Sequence, residues 1–478
     1  MKKFILNFLI LVTIGIFTLQ SCKVPIVNQR NPKEFLNQNF PNNTSNDTTN
    51  LSKMNWKEFF NDDELAQLID YSLQNQQELQ IYLQEILIAQ YEIQEKKAEY
   101  LPFLNGGGGL GLEKEARYTK LGAVEENVEY EEGKKFPSPL TDFNLGLNFR
   151  WEIDIWKKLR NAKNAAQMRF LASNEGKNFL ITQLVAEIAE NYYELLALDN
   201  LLNTIEENIE IQQKALKIIN EQKIASKVTQ LAVNRFEAQL LKTQNLKYQV
   251  LNQITQTENK IHFLLGRSPQ DILRNSQKFW NKTNLNYSIG TPEQLKQNRP
   301  DIKKAAYQIK AANFDFLSAK AEFYPSVGIN LLSGIQSFDL TNIMNPHSFF
   351  IRFFADMIGP LVNKNKIKAR YFMANAKQVQ SVLEYEKTCL NAFLEVQNQL
   401  TFLNNFQLSF QIKQKEVEIL EQSINVANNL FISARADYLE ILLTQKEVLD
   451  AKIELIEIKL NEWKSRIGLY KALGGGWR

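Results

Sequence analysis

The chain repeats itself. Shifting its 478 residues by 223 positions lays Asn75-Gln76-Gln77-Glu78-Leu79 on Asn298-Arg299-Pro300-Asp301-Ile302, Ala98 on Ala321, and Leu101-Pro102 on Tyr324-Pro325. A shift of 208 aligns the far ends, Leu231 with Leu439 and Leu264-Leu265-Gly266 with Ala472-Leu473-Gly474. A coherent set of matches at both ends marks an internal duplication. The expected boundaries are a first repeat over residues 53–275 and a second over 276–478.

Within each copy the hydrophobic period changes in the same order. Alanine-rich helical segments at 78–99 and 299–322 each end at a proline. Short alternating segments follow: Phe143, Leu145, Leu147, Phe149 and Trp151 share one side of a strand, with Asp142, Asn144, Asn148 and Arg150 on the other. The counterpart, 348–360, is more uniformly apolar, and the acidic stretch 112–133 reads as an exposed loop. Strands of ~9–11 residues with one apolar face suit a membrane barrel, although a small soluble sheet has the same period. Next come long helices. Residues 160–220 hold no Pro and one Gly, enough for ~90 Å of unbroken helix. Leu449, Ile453, Ile456, Leu460, Trp463, Ile467 and Tyr470 recur at alternating spacings of four and three, the seam of a left-handed coiled coil. Cys389, Phe393, Val396, Leu400, Leu403, Gln407 and Phe410 form another, which makes Cys389 a small buried hydrophobe.

Composition closes off other classes. Only 19 Gly and 12 Pro are present, roughly half the usual share, which disfavours many short elements. A net charge of +3 without a basic stripe gives nucleic acid no footing. Two His and two Cys are too few for Cys/His zinc sites or a disulfide framework, so no metal, cofactor or catalytic residue is expected. Gly106-Gly107-Gly108-Gly109 lacks the Gly-Lys-Ser/Thr of a phosphate loop and reads as strand or turn. His262 and His347 have no partner that suggests catalysis.

The N-terminus reads as an address. Lys2 and Lys3 precede an apolar run from Phe4 to Phe17, as in a secretory signal. The run ends in Leu19-Gln20-Ser21-Cys22, similar to a bacterial lipobox, which makes residues 1–22 a lipoprotein signal with Cys22 acylated as the first mature residue. Lys23 stands where bacterial lipoproteins kept in the inner membrane typically carry Asp, so the outer membrane is expected. Residues 23–52, rich in Asn, Thr and Pro, read as a flexible tether. About four membrane-type strands per chain cannot close a barrel alone, so several copies must share one.

From Trp56 to Trp477 the sequence resembles the outer membrane efflux protein family, the TolC-like channels, and within it the lipoprotein branch of resistance-nodulation-division systems. The phrases that carry this resemblance, in order, are Trp56…Phe59-Phe60-Asn61-Asp62; Trp151-Glu152-Ile153-Asp154-Ile155-Trp156; Leu264-Leu265-Gly266-Arg267-Ser268-Pro269; Asn298-Arg299-Pro300-Asp301-Ile302; Ala319-Lys320-Ala321…Tyr324-Pro325; Tyr385 with Ala392…Glu395-Val396; and Leu469-Tyr470-Lys471-Ala472-Leu473-Gly474-Gly475-Gly476-Trp477. The resemblance implies a mainly α fold with a β-barrel part: four strands per chain, a homotrimeric twelve-stranded barrel, and a long helical duct. It also implies passive transport without catalysis, in partnership with a periplasmic adaptor (membrane fusion) protein, an inner-membrane pump and outer-membrane lipid.

By alignment with that family, acidic side chains at the inner helix tips face the lumen, and Glu440 occupies such a position. Asp437 is a second candidate for this periplasmic gate, and Arg435 could pair with it. A simpler role for both acids is to stabilise a helix start. The sequence departs from the family pattern at Lys157, Ser226 and Ala434, where glycine is frequent. The competing readings are a lipid-anchored coiled-coil scaffold without a pore, or an enzyme; no motif supports the latter.

Overall fold

The computed structural model describes residues 24–33, 40, 51–281, 289–360, 362, 364–433 and 435–478. After a short helix at Trp56–Phe60, the main elements run α1 (Asp63–Asn75), α2 (Gln77–Tyr100), β1 (Phe103–Glu113), β2 (Leu140–Ile153), α3 (Lys158–Ile224), α4 (Gln230–Leu265), α5 (Pro300–Ala321), β3 (Ser326–Ser337), β4 (Phe349–Ile358), α6 (Asn365–Ile432) and α7 (Tyr438–Ala472). The order helix, strand, strand, long helix, helix thus occurs twice, with α3 and α6 at 67 and 68 residues and α4 and α7 at 36 and 35. The signal segment and Cys22 lie outside the described residues, as does Ala434.

The chain divides into two compact units, one from residues 1–31, 87–171 and 307–382, the other from 32–86, 172–306 and 383–478. The first holds an antiparallel sheet in the order β1-β2-β3-β4. Its strands connect to the helices through turns that the sequence phrases encode. Asp154 is buried, and its carboxylate accepts hydrogen bonds from the backbone N–H of Leu159 and Arg160, capping α3. Trp151 donates to the Tyr100 carbonyl, and Trp156 donates to Pro325 while stacking on Tyr324 at 4.7 Å. Arg169 bridges Glu92 on α2 and Asp315 on α5, each at 3.0 Å.

The second unit is a coiled-coil core. Leu449, Ile456, Trp463, Ile467 and Tyr470 are buried on α7, and Cys389, Val396 and Leu403 on α6, as both seams require. The other phrases clamp the chain ends to this core. Phe59 stacks on Tyr470 at 4.2 Å, and the Tyr470 hydroxyl donates to the Met54 carbonyl. Asp62 caps α1 and takes hydrogen bonds from Lys278 and from the Tyr192 hydroxyl. Burial pushes the Asp62 carboxyl up, while hydrogen bonds with Asp62 and Lys278 hold Glu64 down at about 2. Arg299, almost fully buried, meets Asp301, Glu395 and the Ala472 carbonyl.

Two stretches depart from the sequence reading. The acidic segment 112–133 is more than a loop, because it contains a helix, Lys120–Asn127, and most of a two-stranded hairpin, Glu129–Glu131 with Lys134–Lys135. Thr119 caps that helix through the Gly122 N–H, a local signal outweighed in the sequence by the surrounding charges. Within the segment read as a tether, residues 24–33 lie along α6. Tyr371 donates to the Pro25 carbonyl, Gln378 donates to the Arg30 carbonyl, and the Lys33 N–H donates to Glu386. Phe40 stacks on Phe393. The four contact positions on α6 recur every seven or eight residues, which is a single helix face.

The glycine-poor turns carry a measurable strain. Lys157 and Ser226 adopt φ of 59° and 56°, the left-handed region that disfavours side chains. At Ser226 the Lys227 N–H reaches back to the Gln222 carbonyl, the six-to-one bond of a Schellman ending. Replacing either residue by glycine removes ~1–2 kcal/mol of strain against ~0.4–1 kcal/mol of added unfolded-state entropy. Lys157→Gly and Ser226→Gly are therefore expected to raise the thermal midpoint followed by circular dichroism, whereas Ser226→Val lowers it.

Candidate functional site

The register of the sheet sorts its side chains into two unlike faces. Phe149 sits opposite Leu104 and Leu331, which in turn faces Phe353. The same face carries Leu110, Leu145, Leu147, Trp151, Ile329, Ile335, Ile351 and Met357, all aliphatic or aromatic. On it Leu110, Leu147, Ile351 and Met357 are largely exposed. The opposite face carries Asn105, Asp142, Asn144, Asn148, Arg150, Asn330, Gln336, Arg352 and Asp356, with Gly107, Gly146 and Gly334 among them, and also Phe103, Leu332, Phe350, Phe354 and Ile358, most of them on β4. Gly146 and Gly334 are direct partners, and a Cβ on Gly334 would fall 2.3 Å from the Leu145 carbonyl oxygen, so a side chain there would force the strands apart.

A sheet of 10- to 14-residue strands with one exposed apolar face and one face that holds nearly all its amide and charged side chains is suited to hydrocarbon on one side and water on the other. Among the described residues the outer edges of β1 and β4 pair with no strand, and no helix is long and apolar enough to cross a membrane. A second unpartnered surface lies on α6. Leu383, Leu390, Leu394, Leu408, Ile412, Ile419 and Val426 are exposed at spacings built from threes and fours, a seam distinct from the buried one.

The predicted tip residues come together at the start of α7. Asp437 is its N-cap, accepting from the Tyr438 N–H at 2.6 Å, and its carbonyl accepts from the Glu440 N–H. Glu440 lies in the first turn with its side chain exposed, and Arg435 is exposed in the preceding connection. Asp437 thus has a structural task in the helix start, whereas the Glu440 carboxylate projects from the helix without such a bond. Sequence reading overlooked the polar residues inside the nearby seams. Gln212 and Gln445 are 2% and 4% exposed. Gln445 lies four residues after the buried Ile441 and three before the buried Val448, a position that a search for apolar letters passes over.

These features define an outer-membrane protein built of long coiled coils and barrel strands. The sequence model of the outer membrane efflux protein family matches residues 68–267 and 291–475, and the chain belongs to that family. The cation efflux system protein CusC of Escherichia coli O6:H1 is 26% identical over 442 residues, 91% of each chain. The solvent efflux pump outer membrane protein SrpC of Pseudomonas putida is 27% identical over 427 residues, 88% of this chain and 87% of SrpC. In fold, the chain superposes on the crystal structure of CusC with a TM-score of 0.80 at 23% identity, covering 95% of this chain and 99% of that one. The open state of the MtrE channel of Neisseria gonorrhoeae gives 0.81 at 20% identity, over 95% and 98%. The fold is that of the TolC-like channels.

The face assignment has a direct test. Arginine on the lipid side of a barrel near mid-membrane costs ~2–4 kcal/mol, whereas lumen-facing positions tolerate charge. Leu147→Arg is expected to abolish or strongly reduce folding into lipid vesicles, and the neighbouring Asn148→Arg to fold close to the unaltered chain in the same urea titration.

Proposed function

We propose that this chain is the outer-membrane channel of a tripartite efflux system, a passive exit duct for small molecules delivered by an inner-membrane pump through a periplasmic adaptor. The observation that carries this reading is the four-stranded sheet with one lipid-compatible face and two open edges. An open edge in lipid leaves backbone groups unsatisfied, so the edges of β1 and β4 must meet those of other copies. Three copies give the twelve-stranded barrel that the family resemblance implies, and the exposed seam on α6 offers the copies an apolar contact surface along their helices.

The remaining assignments follow from this. The two repeats, 53–275 and 276–478, each supply a strand pair and a helix pair. Cys22 carries the lipid that anchors the mature N-terminus to the outer membrane, and residues 23–52 join it to the body. The pump is of the resistance-nodulation-division type and supplies the energy; the duct itself has no catalytic task. At the periplasmic tip Glu440 is the gate carboxylate, repeated three times around the axis and attractive to cations. Asp437 and Arg435 shape the turn that presents it.

The decisive measurement is single-channel recording of the purified protein in planar bilayers beside Glu440→Ala. Discrete openings are expected, with higher conductance and weaker cation selectivity in the variant. Openings unaffected by the substitution would remove Glu440 from the gate and leave the duct. Silence in both that and a tip-loosened variant, with no heat-sensitive oligomer on gels, would favour the poreless scaffold. Cys22→Ser is expected to abolish incorporation of radiolabelled palmitate while the strands remain in the membrane.

A further inference from the structure

Near the Ser226 turn, α3, α4, α6 and α7 line a half-open pocket of about 350 Å³. Its wall is mostly apolar, with Ile211, Ile218, Phe236, Phe431 and Ile441 contributing. Gln445 also lines it. That side chain is 4% exposed, and its Oε1 has no hydrogen-bond partner. Buried amide oxygens are nearly always paired, because leaving one desolvated and unbonded is costly. Lys214 stands at the same wall. Gln222 and Asn428 line it too, and a concave, mainly apolar pocket of this size with a few polar groups, one of them a buried unpaired acceptor, has the composition of a small-molecule site.

We propose that this pocket binds a small amphipathic molecule: a flat apolar body of about two rings carrying one hydrogen-bond donor, a hydroxyl or N–H, that is accepted by Gln445 Oε1. The apolar body fits against the isoleucines and Phe236, and the donor satisfies the orphaned acceptor. A molecule seated there touches all four helices at once, so it ties the α3–α4 ends to the α6–α7 ends and restrains their fraying. The site is independent of the duct reading, since it is a property of the helix ends of one chain.

The test is hydrogen exchange of the full-length protein in lipid, followed by mass spectrometry, with 2-naphthol as the probe and naphthalene as its donorless counterpart. Exchange in 211–236 and 428–445 is expected to slow at least threefold with 2-naphthol and less with naphthalene, with no change in the strands. Gln445→Leu is expected to erase the difference between the two probes. Ile218→Glu, at a half-exposed position that tolerates charge, is expected to erase protection by both. No local protection in the unaltered chain, or equal protection in Ile218→Glu, overturns the site. Equal protection by both probes in the unaltered chain overturns the role of Gln445.

Discussion

A strand edge presents a row of N–H and C=O groups, and in hydrocarbon only another strand can satisfy them. In this chain that demand falls on β1 and β4, which have one neighbour each. Their compositions differ in a complementary way. β1 runs Phe103-Leu104-Asn105-Gly106-Gly107-Gly108-Gly109-Leu110, and β4 runs Phe349-Phe350-Ile351-Arg352-Phe353-Phe354. Closing the barrel across copies, as proposed, sets a strand with glycine at five of its 11 positions beside one dense in aromatic rings. Rings that lie over glycine cover backbone that would otherwise be bare, a known way to support glycine in sheets. The glycine run is therefore better understood as half of a joint than as a flexible segment.

Away from the lipid, each distinctive sequence phrase turns out to be a fastening. Asp154, Asp62 and Asp301 each accept a backbone N–H at or near the start of a helix, and each also meets a cation, Arg160, Lys278 or Arg299. The Trp477 indole donates to the Asn298 and Gly474 carbonyls, and Gly474 has φ of 90° with no room for a Cβ beside Asn298. Two of these hydrogen bonds, Asp62 with Lys278 and Trp477 with Asn298, join residues 216 and 179 apart in the chain, and the others are local; all lie where helices start or stop. Long helices need such fixed points, because their own seams specify a period but tolerate sliding along it.

Much of this was legible in the letters. The α6 and α7 seams could be read because a 3.5-residue period without proline admits only one interpretation, and the outward side of β2 because five large apolar residues alternate with polar ones. β3 was harder to read, since Leu332 interrupts the polar side and Ser333 the apolar side. The positive φ at Lys157 and Ser226 could be suspected only where glycine was missing from a familiar turn; the residues themselves give no sign. At the tip, sequence and resemblance placed Asp437 and Glu440 together, but only the coordinates separate the capping carboxylate from the free one. Gln445 was missed for the opposite reason, being a polar letter in an apolar rhythm.

The N-terminal strap along α6 bears on the order of events during synthesis. Pro25, Arg30 and Lys33 find their partners 346, 348 and 353 residues later in the chain. Contacts that span so much sequence form last, since their loop closes only after the intervening structure exists. Residues 25–33 thus have nowhere to dock until the second half of the chain has emerged and its long helix α6 has formed. Any enzyme acting on this segment during synthesis would meet it undocked, since only a chain translated past the first half of α6 can tuck it away.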